Sequence, residues 1–176
     1  MINSKPNGVG NYRQGLYTPV NTSKVYKLNE KGGLYYRSSW ELTAMKYFDQ
    51  SDDVILWGAE CLEIPYQMKK PDKHGILTVT NHRYYPDFYY KLKMVNGSIR
   101  EILLEVKPVE QTKPPKFKET ARMTKKQLDS YEYSINEYNR NMSKWDFTIK
   151  YCEMKGIEFK ILTKQQVDRM IKTFIN

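Results

Sequence analysis

The sequence predicts an α/β fold in which a central mixed β-sheet is flanked by helices. Three observations carry that expectation. Helical apolar spacing marks residues 38–50 and returns after residue 120. Between them, residues 54–107 are rich in β-branched and aromatic residues at strand-like spacing. One further short strand, 157–162, falls between two late helices, an order that points to helices packed on a sheet. The chain has 176 residues, the length of one ordinary domain with little room for a second. With 40% hydrophobic and 14% aromatic residues, it can build a core.

Residues 1–37 are turn-rich, holding Gly8, Gly10, Gly15, Gly32, Gly33, Pro6 and Pro19. Lys5, Arg13, Lys24, Lys27, Lys31 and Arg37 stand there against one acid, Glu30. This stretch is expected to be an irregular basic N-terminal arm, either a solvated terminus or a grip on phosphate. The domain proper then spans 38–176. Ser38 and Glu41 form an S-x-x-E capping box, opening a helix to Gln50. Ala44, Met45 and Phe48 follow Glu41 at i+3, i+4 and i+7, so Glu41 shares the apolar face. Val54 to Ile64 reads as one strand ending near Pro65. Ile76 to Thr80 and Arg83 to Met94 read as two more around a turn, and Asn96-Gly97 signals a hairpin. The clearest strand runs from Ile99 to Lys107, with Leu103, Glu105 and Lys107 facing one way and Ile102, Leu104 and Val106 the other.

Pro108 closes that strand and Pro114-Pro115 marks a loop. Helices are expected over Thr120–Tyr138 and Lys144–Lys155. Trp145, Thr148, Ile149 and Cys152 form the stripe of the second, and Gly156 stops it. A strand Ile157–Leu162 follows, and Thr163 caps a last helix to about Phe174.

Charge and motifs narrow the function. Lys plus Arg is 29 and Asp plus Glu is 20, a net charge of +9. That balance favours a polyanion such as DNA as partner. No apolar run approaches a membrane span, so no membrane partner is expected, and no apolar N-terminal stretch resembles a signal peptide. Neither a P-loop nor a G-x-G-x-x-G occurs, so no nucleotide cofactor is expected. Cys61, His74, His82 and Cys152 lack zinc-ligand spacing. Two cysteines make no disulfide framework, and a reducing compartment is the default.

Glu41, Pro86-Asp87 and Glu105-Val106-Lys107 remain as the chemistry-bearing constellation. Glu105 and Lys107 share a strand face, and Asp87 precedes them on the neighbouring strand of a hairpin. Carboxylates brought together repel, and a divalent cation relieves the repulsion. Oxygen-only ligation suits Mg²⁺, with Mn²⁺ as substitute. A lysine beside the bound water can position it and stabilise charge developing on a phosphate.

Pro86-Asp87 followed by Glu105-Val106-Lys107 resembles the PD-(D/E)xK nuclease superfamily. Ile64-Pro65-Tyr66, the stretch His82 to Phe88, Glu105 to Pro108 and Gly156 to Thr163 are similar to its TnsA-like branch. Gln127-Leu128-Asp129-Ser130-Tyr131 fits the Q-x-x-x-Y pattern of some members. Over its whole length the chain resembles the head-completion nucleases of tailed phages. The resemblance implies a restriction-endonuclease-like core and a Mg²⁺-dependent DNA endonuclease, leaving a 5′-phosphate and a 3′-hydroxyl. In that reading Asp87, Glu105 and the Val106 carbonyl hold the metal, and Glu41 holds a second or outer cation. Lys107 orients or activates the water, and Gln127 contacts the metal water or phosphate. The phage setting implies clearing or trimming of DNA at the portal of a filled head, head or portal proteins as partners, and a place in the host cytoplasm or on the virion. The stretch Met68 to Gly75 looks like an insertion without a family counterpart.

Each residue also has a plainer reading. Glu41 serves as a helix cap, Asp87 as a turn residue after proline, and Glu105 with Lys107 as a surface ion pair. Glu60 and Glu63 read as surface charges with outer ligation as the lesser alternative, His82 as structural and Tyr131 as packing. Rival functions are a transposon-end, restriction or junction-type nuclease, and a non-catalytic DNA-binding structural head-completion protein.

Overall fold

The alternation across 54–107 supplies three strands of a four-stranded sheet at the centre of the molecule, and 158–162 supplies the fourth. A computed structural model describes residues 14–71, 74–117 and 124–175. Lys5, Arg13 and the helix start expected at Thr120 lie outside the described residues. In chain order the elements are β1 (Gly15–Tyr17), β2 (Leu34–Tyr36), α1 (Ser39–Gln50), β3 (Val54–Ala59), β4 (Ile64–Pro71) and β5 (Leu77–Tyr84). They continue as β6 (Phe88–Lys93), β7 (Ile99–Val106), α2 (Lys125–Lys155), β8 (Glu158–Leu162) and α3 (Lys164–Ile175). The central sheet has the order β3-β6-β7-β8. Its first two pairings are antiparallel and β7–β8 is parallel, so the sheet is mixed as predicted.

Both faces of β7 are buried, and its alternation sorts two cores. Ile102, Leu104 and Val106 pack with Ala44, Met45 and Phe48 of α1 and with Trp57, Phe88 and Tyr90. Leu103 packs on the opposite side with Cys152 of α2, Ile64, Tyr66 and Tyr84. Phe48 stacks on Tyr90 with ring centres 4.7 Å apart and meets Phe88 edge-on at 5.3 Å. Truncating such a ring costs about 3–5 kcal/mol. Among the described residues no helix is long and apolar enough to cross a membrane.

Three differences from the sequence reading have physical causes. The stretch 14–37 is mostly irregular, yet it is fastened to the domain rather than free of it. β1 and β2 pair antiparallel, and Leu34 and Tyr36 enter the first core. The fastening is Asp49, fully buried at the end of α1. Its carboxylate accepts from the Tyr17 hydroxyl at 2.7 Å, the Val20 N–H at 2.7 Å and the Asn21 N–H at 2.8 Å. Burial, then Asp49, pushes the Tyr17 phenol up, so it stays a donor.

Second, the strand expected over 54–64 is broken. Glu60 takes φ 46°, the left-handed region. The chain turns there and β4 leaves to pair with β5 as a separate antiparallel ribbon. Glu60 is itself neither Gly nor Pro; Gly58, two residues earlier, leaves the room that Cys61 Sγ takes as the chain folds back. Ile64, Tyr66 and Met68 of the ribbon are buried, while β5 is exposed until Tyr84. The insertion-like stretch Met68 to Gly75 forms its tip, with Asp72 and Lys73 outside the described residues.

Third, the two helices expected over 120–155 are one. Thr124 and Gln127 form a reciprocal capping box at its start, and Gly156, at φ 68°, ends it. Residues 139–143 contain neither Gly nor Pro, and buried Asn141 carries the inward stripe across the supposed gap.

Candidate active site

Antiparallel pairing of Phe88 with Leu104 brings Asp87, just before β6, beside Glu105 near the end of β7. The two acids then lace the strand ends. The Val106 N–H donates to Asp87 Oδ2 at 2.7 Å, and the Asp87 N–H donates to Glu105 Oε2 at 3.3 Å. Glu105 is 2% exposed and is one of the largest fully buried side chains. Its Oε2 also accepts from the Tyr84 hydroxyl at 2.5 Å, and its Oε1 lies 2.8 Å from Lys107 Nζ. A surface ion pair, the plain reading of Glu105 and Lys107, does not describe a carboxylate this deep.

The electrostatics follow from burial and repulsion. Burial first, then Glu105, raises the Asp87 carboxyl well above its usual range; Lys107 opposes this and Glu41 adds to it. Burial pulls the Lys107 ammonium down, but Glu105 and Asp87 outweigh it and the net shift is upward, so Lys107 keeps its proton. Burial and then Glu105 raise Tyr84, which remains a hydroxyl donor.

Glu41 sits in the first turn of α1, and its charge is felt at both Asp87 and Lys107. Its oxygens are engaged locally. One accepts from the Arg37 N–H at 2.8 Å, the other from the Ser38 hydroxyl at 2.9 Å. Capping and a place beside the acids therefore coexist in this residue.

Gln127 is not brought to the acids. Its Oε1 accepts from the Thr124 N–H at 2.8 Å and from the Thr124 hydroxyl at 3.1 Å, closing the capping box. The part of α2 near the site is Lys144, whose Nζ stands 5.4 Å from the Tyr84 ring centre. Seventeen residues separate the two positions, ~25 Å along a helix. The structure thus sets Gln127, expected at the metal water or phosphate, in the capping box at the far end of α2 from Lys144. Tyr131, on the same end of α2, meets Phe117 edge-on at 4.9 Å.

Two more residues reach the site: Lys144, which the sequence did not single out, and Glu60, for which it offers outer ligation only as the lesser alternative. Lys144 is held down by burial and by the Lys107 charge. Glu60, ranked mainly as a surface charge, pairs with Arg37 and feels both Glu41 and Glu105; burial, its largest influence, raises its carboxyl. Its N–H donates to the Asp87 carbonyl at 3.0 Å. A glutamate forced to positive φ beside an acid pair is not marked by any local pattern. Glu63 is an exposed partner of Tyr85 and Arg83. His82 lies on the ribbon, hydrogen-bonded to Thr80 at 2.8 Å and stacked on Tyr66. Cys61 and Cys152 are buried thiols, each pushed up to about 11 by desolvation.

Among the described residues, no three of the His, Cys, Asp and Glu side chains stand close enough to make a ready cation cage. The oxygen donors at hand are the Asp87–Glu105 pair, with Glu41 nearby.

With this geometry in place, the model of the TnsA-like endonuclease N-terminal domain matches residues 51–164. The chain belongs to the TnsA-like endonuclease family. Mixed sheet and flanking helices accord with the restriction-endonuclease-like fold of that family. The matched span contains Asp87, Glu105 and Lys107, while Glu41 precedes it. The chain is also 31% identical over 150 residues to the head completion nuclease of Enterobacteria phage T4, covering 85% of this chain and 90% of that protein.

Proposed function

We propose that this TnsA-like domain is a metal-dependent DNA endonuclease that acts in phage head completion after packaging. One observation carries the reading: a fully buried glutamate, paired to a lysine two residues on and laced to an aspartate whose carboxyl burial and repulsion hold well above its usual range. A buried pair of acids with one lysine is poorly compensated as it stands, and a divalent cation supplies the missing charge. Hard carboxylate oxygens fit Mg²⁺ or Mn²⁺, so Asp87 and Glu105, with the Val106 carbonyl, would hold the ion, and Glu41 a second or outer one. When bound, the ion acidifies a water and neutralises charge at the scissile phosphate.

The chain's own residues do the rest. Tyr84, kept protonated, fixes one oxygen of Glu105 and so its orientation. Lys107, kept charged, orients the attacking water and stabilises charge developing on the phosphate. Lys144 adds positive potential behind Tyr84. In-line attack leaves a 5′-phosphate and a 3′-hydroxyl. The net charge of +9 supports DNA as substrate, and the name of the T4 relative supports a head-completion setting with head or portal proteins as partners.

The test is closed circular plasmid incubated with the protein in Mg²⁺ or in EDTA. Nicked and linear forms should appear only with the metal, and an Asp87→Asn variant should leave the plasmid closed. Equal nicking in EDTA, or by the variant, would overturn the reading.

A further inference from the structure

Along the first half of α2, one helical face and the 109–117 segment enclose a cavity of about 820 Å³, at the large end for a ligand pocket. The face is built at helical spacing by Gln127, Tyr131, Ser134, Tyr138 and Asn141. Gln127 and Tyr131 of the Q-x-x-x-Y segment both line the cavity. The opposite wall begins at Val109, two residues after Lys107 in the chain. Its α2 wall ends at Asn141, one turn short of Lys144. From there it extends to Gln127, ~21 Å along the helix axis.

The lining has an unusual pairing of chemistries. Its apolar surface is mainly flat ring and proline, with Phe117 half exposed and Tyr133 67% exposed. Val109 is the lone branched aliphatic in it. Lys113, Lys116 and Lys126 line the same groove. Against them stand Glu110, and Glu137, which Arg140 already holds at 2.6 Å. Rings for bases and ammonium groups for phosphates are the two features that bind single strands without regard to sequence. A duplex keeps its base faces inside its own stack and cannot use the rings. An aliphatic protein partner would want branched side chains rather than this mixture.

We propose that this groove binds single-stranded DNA and leads it to the acid cluster. The length suits about six nucleotides at stacked spacing. The inference rests on the nuclease reading above and deepens it, naming frayed ends and flaps as the preferred substrate.

The experiment separates the two. Fluorescence anisotropy in EDTA would compare a short oligothymidylate with a hairpin duplex, using the full chain and Tyr131→Ala, Tyr131→Trp and Phe117→Leu. The single strand should bind more tightly than the duplex. Tyr131→Ala should weaken single-strand binding at least tenfold with little change for the duplex, and Tyr131→Trp should restore it. Phe117→Leu is the milder probe of the same ring pair and should weaken single-strand binding alone. Nicking of closed plasmid is read beside it in Mg²⁺. If the wild-type chain nicks nothing yet Tyr131→Ala still loses single-strand affinity, the groove stands and the nuclease reading falls. Equal affinity for both DNAs, unchanged binding by Tyr131→Ala in a protein of unaltered melting temperature, or no rescue by tryptophan would overturn the groove.

Discussion

Asp87→Asn should make the metal-free protein more stable while abolishing cleavage. The substitution keeps the volume and one oxygen able to accept from the Val106 N–H, now at 2.7 Å. It removes a charge that burial and Glu105 disfavour, net of the attraction to Lys107. Lys107 retains Glu105 at 2.8 Å. Relief of this kind is worth about 1 kcal/mol at neutral pH, in the range of stabilising changes made at strained functional sites. For a chain of this size that is ~2–4 °C in melting temperature.

The pH dependence fixes the sign. Because the folded carboxyl is raised, the native state binds the Asp87 proton more tightly than the unfolded chain does. The associated stability is complete below the unfolded value of about 3.9 and is lost as pH rises through the folded one. The variant's advantage should therefore be largest at alkaline pH and shrink on acidification. Thermal melting by circular dichroism in EDTA from pH 5 to 8.5 measures it. A variant that melts lower at pH 8, or an advantage constant across the range, would refute the argument.

Other consequences are testable with the same material. Asp87→Ala and Glu105→Ala should lose calorimetric Mn²⁺ binding and nicking together, whereas Lys107→Ala should bind Mn²⁺ at least as well and still lose nicking; equal Mn²⁺ loss in all three would show the lysine assignment wrong. Asp49→Ala leaves buried donors from Tyr17, Val20 and Asn21 without their acceptor and should cost about 3 kcal/mol, read as a fall of ~6–12 °C on melting. DNA affinity should drop steeply between low and moderate salt and differ little between two unrelated duplexes, as anisotropy would report.

Legibility in the sequence tracked how local each signal was. The Ser38–Glu41 cap, the Asn96-Gly97 turn and the two-faced alternation of β7 depend on neighbours in the chain, and the structure reproduces all three. The juxtaposition of Asp87 with Glu105 was legible because a hairpin connects them. Glu60 and Lys144 were not, since each reaches the acids through a tertiary approach: a left-handed turn without glycine in one case, a helix crossing in the other. Gln127 sits in a capping box, and a capping glutamine and a catalytic one look identical in a motif. Residues 1–37 read as an irregular basic arm because turn residues and unopposed basic charges stand out there, whereas the attachment of 14–37 depends on Asp49, a residue unremarkable until its three donors are seen.

β7 is hydrogen-bonded on both edges and covered on both faces. Amide protons of residues 102–105 should therefore exchange with solvent only when the whole domain opens, and be the slowest in the chain. Glu105 and Lys107 inherit that stillness, being anchored to the last part of the molecule to come apart. Glu41 and Asp87 depend instead on a helix end and a strand start, where smaller openings suffice. One half of the acid cluster is thus fixed by the global stability of the fold and the other by local fluctuations. Mild denaturant should loosen the second half well before the first.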